Sequence, residues 1–157
     1  MMIPLWTSAQ VEHVTQGRAS GEWIAGGVSI DSRTLEDGDL FVALHGPNFD
    51  GHDFVSDALS RGAVAAIVDK DNEGSVLRVE DTLIALEALG RAARKRTGAT
   101  IIAVTGSVGK TGSKDALKFA LSRQAKTFAN TGSFNNHWGV PLSLSRMPPK
   151  TTYGIFE

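Results

Sequence analysis

The sequence predicts an α/β protein of two successive parts: a small N-terminal α/β domain, then the start of a parallel-sheet domain that opens on a glycine loop. Three observations carry that expectation. Short segments of strand formers alternate with stretches of helical apolar spacing in the N-terminal half. An almost wholly apolar run at residues 99–104 leads directly into a glycine loop and an amphipathic stretch. Beyond it the order strand, loop, helix, strand, helix, strand is that of a parallel sheet.

The elements follow in chain order. Thr7 and Gln10 have the spacing of a capping box, and Val11 and Val14 give the short helix after them an apolar face before Gly17. Residues 28–32, 40–44 and 63–68 have strand length and strand-forming composition, with turn residues between them. Between the last two, the apolar residues of 53–59 recur at helical spacing as far as Gly62, a suitable left-handed cap, so a crossover helix is expected. Phe54, Val55 and Leu59 are read as its core residues.

Residues 76–79 form a fourth strand, after which Asp81 can cap a helix with Leu83, Leu86, Leu89 and Ala93 along one stripe, ending near Thr97-Gly98. Residues 99–104 are apolar enough for a parallel strand covered on both faces. A helix with Ala116, Leu117, Ala120 and Leu121, a strand near 125–129, a helical stretch after Pro141 and a strand at 153–156 complete the pattern. Sheets of this kind usually have roughly five strands, so the second domain is expected to be truncated. The expected divisions are 1–82, a connecting helix at 83–98, and 99–157, with a hinge near Thr97-Gly98.

Composition narrows the function classes. A chain of 157 residues that is 41% hydrophobic can bury a core. Sixteen basic against 17 acidic residues make no global field that favours nucleic acid or an anionic membrane. The basic cluster Arg91, Arg94, Lys95 and Arg96 falls in the last turns of a helix, where cations complement the macrodipole. The absence of cysteine excludes disulfides and thiolate metal sites. The first residues lack the basic and apolar regions of a signal peptide, and the apolar runs are far shorter than the roughly 20 residues that span a bilayer. A cytoplasmic chain without membrane insertion is expected. His45, His52 and His137 show no metal-ligand spacing and are read as packing or turn residues.

The sharpest chemical signal is Val104-Thr105-Gly106-Ser107-Val108-Gly109-Lys110-Thr111, between an apolar strand and an amphipathic helix. Glycines let the backbone fold around a phosphate so that amides and the helix N-terminus point at it, Lys110 adds a full charge, and Thr111 offers a hydroxyl for magnesium. Gly109-Lys110-Thr111 fit the general pattern G-x-x-x-x-G-K-[ST], whereas Val104 stands where its first glycine belongs. ATP is therefore the expected ligand of residues 105–111.

Thr105-Gly106-Ser107-Val108-Gly109-Lys110-Thr111 resembles the T-G-[ST]-x-G-K-T loop of the Mur ligases. Asn130-Thr131-Gly132-Ser133-Phe134-Asn135-Asn136-His137-Trp138-Gly139-Val140-Pro141-Leu142-Ser143-Leu144 resembles a second stretch of that family, N-x-x-G-x-x-N-N-x-x-G-x-P-L-x-L. Ile30-Asp31-Ser32-Arg33, Gly38-Asp39-Leu40-Phe41-Val42-Ala43-Leu44 and Asp50-Gly51-His52-Asp53-Phe54-Val55 are similar to its uridine-nucleotide domain. Val108, and Gly112-Ser113 in place of a threonine run, depart from the pattern at positions where backbone amides hold most of the phosphate.

The resemblance implies a uridine-nucleotide-binding domain followed by a P-loop ATPase domain, and ATP-dependent ligation with Mg2+. The implied reaction joins D-alanyl-D-alanine to UDP-N-acetylmuramoyl-tripeptide through an acyl phosphate, with addition of the third amino acid to the dipeptide nucleotide, or a non-catalytic nucleotide-binding module, as alternatives. It implies that Lys110 bridges the ATP phosphates, that residues 105–111 cradle them, and that Thr111 and Glu157 ligate magnesium. Ser32 and Arg33 would face the uridine diphosphate. Asn135 and Asn136 either contact substrate or nucleotide, or shape a turn through their own backbone contacts. A monomer, inactive as this length of chain alone, is expected.

Overall fold

In the computed structural model, which describes residues 4–131 and 136–157, the chain divides into two compact units, Met1–Leu89 and Gly90–Glu157. The first holds β1 (Trp6–Thr7), α1 (Ser8–Thr15), β2 (Arg18–Ala19), β3 (Ile24–Ala25), β4 (Gly27–Ser29), β5 (Asp39–Val42), a 3-10 turn (Gly51–Phe54), α2 (Val55–Ser60), β6 (Ala65–Val68) and β7 (Val76–Arg78). Helix α3 (Thr82–Lys95) carries the chain across the division. The second unit continues with β8 (Thr100–Ala103), α4 (Lys110–Ser122), β9 (Thr127–Ala129), α5 (Gly139–Ser145) and β10 (Tyr153–Phe156). The α/β class with parallel sheets is as expected.

The first unit is built on a five-stranded sheet of order β2-β7-β6-β5-β4, parallel except for β2, which runs antiparallel to β7. Phe41, Ala43, Ala66 and Val68 alternate onto one face and pack with Val55 and Ala58 of α2. Leu40, Val42, Ala65 and Ile67, at the intervening positions, are also fully buried, so both faces are covered and the strands read as continuous apolar runs. Two-residue strands β1 and β3 form a separate antiparallel ladder, Trp6 opposite Ala25.

Local signals explain the helix ends. The Thr7 side chain accepts from the Gln10 amide and the Gln10 side chain accepts from the Thr7 amide, the expected capping box. The left-handed residue that ends α1 is Gln16 at φ 59°, not Gly17, where a Cβ would stand 2.5 Å from Leu77 Cδ2 and 2.7 Å from the Arg78 carbonyl. Gly17 is there for close packing. Gly62 is left-handed, at φ 104°, and ends the crossover. Asp81 Oδ1 accepts from the Ile84 amide at 2.8 Å and caps α3.

In the second unit the sheet is parallel with order β8-β10-β9. Strand β8 departs from expectation: Thr100 and Ala103 are exposed, and Ile101 and Ile102 only half-buried. Among the described residues it pairs with β10 alone, which leaves one edge open. The basic end of α3 bonds to backbone, with Arg94 donating to the Thr97 carbonyl and Arg96 to the Met147 carbonyl. Helix α5 starts two residues before Pro141, which therefore sits in the first turn, where its missing N–H costs nothing.

Candidate functional site

The loop between β8 and α4 turns on two left-handed glycines, Gly106 at φ 151° and Gly109 at φ 74°. At neither would a Cβ meet an atom closer than 3.8 Å, so backbone conformation rather than crowding explains the residue type. Gly109 caps α4, so that Lys110 and Thr111 occupy its first turn, beside amides that have no partner within the helix. The loop lies open to solvent, with Val108 87% exposed. Lys110 Nζ donates to the Gly106 carbonyl at 2.8 Å, which folds the ammonium back across the loop.

Glu157 follows β10 directly, and the parallel register of β10 on β8 carries it to the start of α4. The Thr111 hydroxyl donates to Glu157 Oε2 at 2.9 Å. Lys114, 2% exposed, holds its ammonium 3.5 Å from the same oxygen, and the Glu157 side chain is 3% exposed. Asn130 Oδ1 accepts from the Glu157 amide at 3.1 Å, and the Asn130 amide donates to the Ile155 carbonyl. Lys114 and Asn130 are thus parts of this site that sequence reasoning did not assign. Lys114 lies four residues after Lys110, one helical turn on, and that spacing was the available signal.

The other expected residues are placed as follows. Ser32 is buried and its hydroxyl donates to the Asp57 carboxylate, which Arg61 first and Ser32 second hold below the usual carboxylate range. Arg33 is exposed and forms a two-pronged pair with Asp31, Nε to Oδ1 at 2.9 Å and Nη2 to Oδ2 at 2.7 Å, which holds the Asp31 carboxyl below its ordinary value. Asn136 Oδ1 accepts from the amides of Trp138 and Gly139 at 3.1 and 2.7 Å, and so sets the start of α5. Asn135 lies outside the described residues. His137 is exposed, its ring edge-on to Trp138.

One grouping involves two of the histidines read as packing or turn residues without metal-ligand spacing. His45, His52 and Asp69 bring one donor atom each to within 4.8 Å of the others. Their separation in sequence conceals this, because β6 delivers Asp69 beside a hairpin closed by the His45–Asp50 bridge.

Comparison with known proteins agrees with this geometry. The model of the Mur ligase family, catalytic domain, matches residues 25–107, and that of the Mur ligase middle domain matches residues 104–157. The UDP-N-acetylmuramoyl-tripeptide--D-alanyl-D-alanine ligase of Rickettsia prowazekii is 41% identical over 134 residues, covering 83% of this chain and 30% of its own. A crystal structure of MurF from Acinetobacter baumannii superposes with a TM-score of 0.80 at 36% identity, over 99% of this chain and 36% of that one. The MurF ligase of Thermotoga maritima, in complex with ADP, gives 0.65 at 33% identity, over 83% of this chain and 31% of that one. The chain spans about a third of the length of these relatives. With a family match over more than half its residues, and a glycine loop set between strand and helix as such a domain requires, the chain belongs to the Mur ligase family.

Proposed function

We propose that this chain is the N-terminal part of the ATP-dependent ligase that joins D-alanyl-D-alanine to UDP-N-acetylmuramoyl-tripeptide. In this reading residues 1–82 hold the uridine nucleotide, with Ser32 and Arg33 toward its diphosphate, 83–98 connect, and 99–157 begin the ATPase domain. The observation that carries it is the convergence of Thr111 and Glu157, 2.9 Å apart, on a glycine loop that ends in Lys110. Names and similarity of the relatives support the choice of substrates.

The chemistry is phosphoryl transfer followed by acyl transfer. The terminal carboxylate of the tripeptide attacks the γ-phosphorus of ATP, releasing ADP. The amine of D-alanyl-D-alanine then attacks the acyl phosphate, forms the amide, gives up a proton and expels inorganic phosphate. Little covalent work falls to the protein, which positions the reactants and offsets charge. Lys110 exchanges its bond to the Gly106 carbonyl for phosphate oxygens, while the amides of residues 106–111 cradle them. The hydroxyl and carboxylate oxygens of Thr111 and Glu157 suit magnesium, a hard cation that takes oxygen ligands. Thr111 and Glu157 would hold the ion where its charge would offset that developing on the transferred phosphoryl group. Asn135 and Asn136 remain candidates for substrate contact. The same proposal makes the whole enzyme a cytoplasmic monomer without nucleic-acid or membrane partners; no helix among the described residues is long and apolar enough to cross a membrane.

Calorimetric titration of this chain with the tripeptide nucleotide, the dipeptide nucleotide and ATP with magnesium tests the assignment. Tighter binding of the tripeptide nucleotide than of the dipeptide nucleotide is expected. The reverse preference would move the assignment to the ligase that adds the third residue. Lys110→Ala should weaken ATP binding roughly tenfold to a hundredfold, as loss of a charge-assisted hydrogen bond does. Unchanged affinity would remove the loop from the site.

A further inference from the structure

We infer that His45, His52 and Asp69 form a binding site for a borderline divalent metal ion such as Zn2+, in the first unit and separate from the phosphate loop of the second. The donor set is two imidazole nitrogens and a carboxylate oxygen, which zinc and cobalt accept readily. His45 Nε2 and His52 Nε2 each lie 3.1 Å from the same oxygen, Asp69 Oδ1. Ligands in a tetrahedral zinc site, with bonds of about 2.0 Å, stand about 3.3 Å apart, so these two edges are already close to that spacing. The third edge, within 4.8 Å, closes by rotation of the exposed His45 ring.

Three further features favour an ion over a purely hydrogen-bonded cluster. His52 Nδ1 is 2.6 Å from Asp50 Oδ1, so Asp50 accepts a hydrogen bond from Nδ1–H, and the Nε2 lone pair is left facing Asp69. A carboxylate behind an imidazole is the usual outer support of a metal-bound histidine. The Nε2 lone pair then faces both the Asp69 amide, at 3.1 Å, and the Asp69 carboxylate. The second of these is a contact between two acceptors, which a cation relieves; on binding, the amide contact gives way to the metal. Charge points the same way, because Asp50 and Asp69 outnumber Lys70, whose ammonium is bonded to Asp50. His52 is buried, whereas His45 is exposed, so an ion can enter from solvent and a fourth ligand position stays open.

The test is titration of the chelator-treated chain with Zn2+ by calorimetry and with Co2+ by visible absorption. One saturable ion per chain is expected, with the cobalt form showing the intense d–d bands of low coordination. His45→Ala, at an exposed side chain that the fold tolerates, and the near-isosteric Asp69→Asn should each weaken uptake at least about tenfold. Thermal unfolding of the metal-free variants checks that they are folded. Absence of saturable uptake, or uptake that either folded variant leaves unchanged, would overturn the site and leave a proton-held network in its place.

Discussion

The two larger sheets, parallel except for β2, are made of similar strands and lie in different surroundings. Ala65–Val68 of β6 is 0% exposed at all four residues, with β5 and β7 on its two edges. Thr100–Ala103 of β8 is as apolar to the eye, yet both end residues are exposed and its outer edge is open among the described residues. Phe119 on α4 is 67% exposed. An apolar strand permits burial; the neighbouring strands and the layers above and below supply it. The central strands of the first sheet have their cover within the first unit, whereas β8 leaves both end residues and, among the described residues, its outer edge open.

The largest effect that sharpens this contrast is expected from truncating one core residue in each sheet. Phe41 is 1% exposed and packs in the cluster with Val55, Ala58 and Ala66, so Phe41→Ala should destabilise the first unit by about 3–5 kcal/mol. Ile102 is half-buried on an edge strand, and Ile102→Ala should cost roughly 1 kcal/mol. Hydrogen exchange resolved to the strands measures both. Equal losses would mean that β8 is as well covered in solution as β5, and the comparison would fail.

Glycines give the next contrast. A Cβ at Gly51 would stand 2.6 Å from the Leu44 amide nitrogen and 2.7 Å from its carbonyl oxygen, backbone atoms that cannot swing aside. Gly51→Ala should therefore cost about 1–3 kcal/mol through overpacking. At Gly112, in the first turns of α4, nothing lies within 4 Å, and alanine there should stabilise the helix by up to about 1 kcal/mol. Urea midpoints of the two variants should move in opposite directions; a shared direction would show that crowding does not separate the units.

What could be read from the sequence follows the range of the interaction. The capping box at Thr7 and Gln10, the cap at Asp81 and the left-handed Gly62 are decided within a few residues, and all were legible. The β1–β3 ladder is two residues long on each side and has no periodicity to detect. Lys114 and Asn130 acquire a role only when β10 brings Glu157 back to the start of α4. His45 meets Asp69 across 24 residues through strand pairing, and no local spacing announces it. The glycine loop was legible because its glycines answer a backbone requirement confined to the loop itself.

The smallest expected effect is a pH dependence confined to the first unit. Lys70, above all, holds the Asp50 carboxyl well below the usual carboxylate range; the His52 amide and ring add to this and burial opposes it. A carboxyl lowered in the folded state is deprotonated there while the unfolded chain still binds its proton. Its stabilisation is therefore complete above the unfolded value of about 3.9 and fades as pH falls below it. Lys70→Met removes the main cause, so the first unit should lose a stabilisation at pH 7 that is small because the lysine is exposed, and its stability should fall less steeply as pH drops below about 3.9. Hydrogen exchange of β5 and β6 across the acid range, with β8 to β10 as the internal reference, separates this from a general loss of stability. A change of the same size and pH dependence in the second unit would show that the contribution does not reside in the Asp50–Lys70 pair.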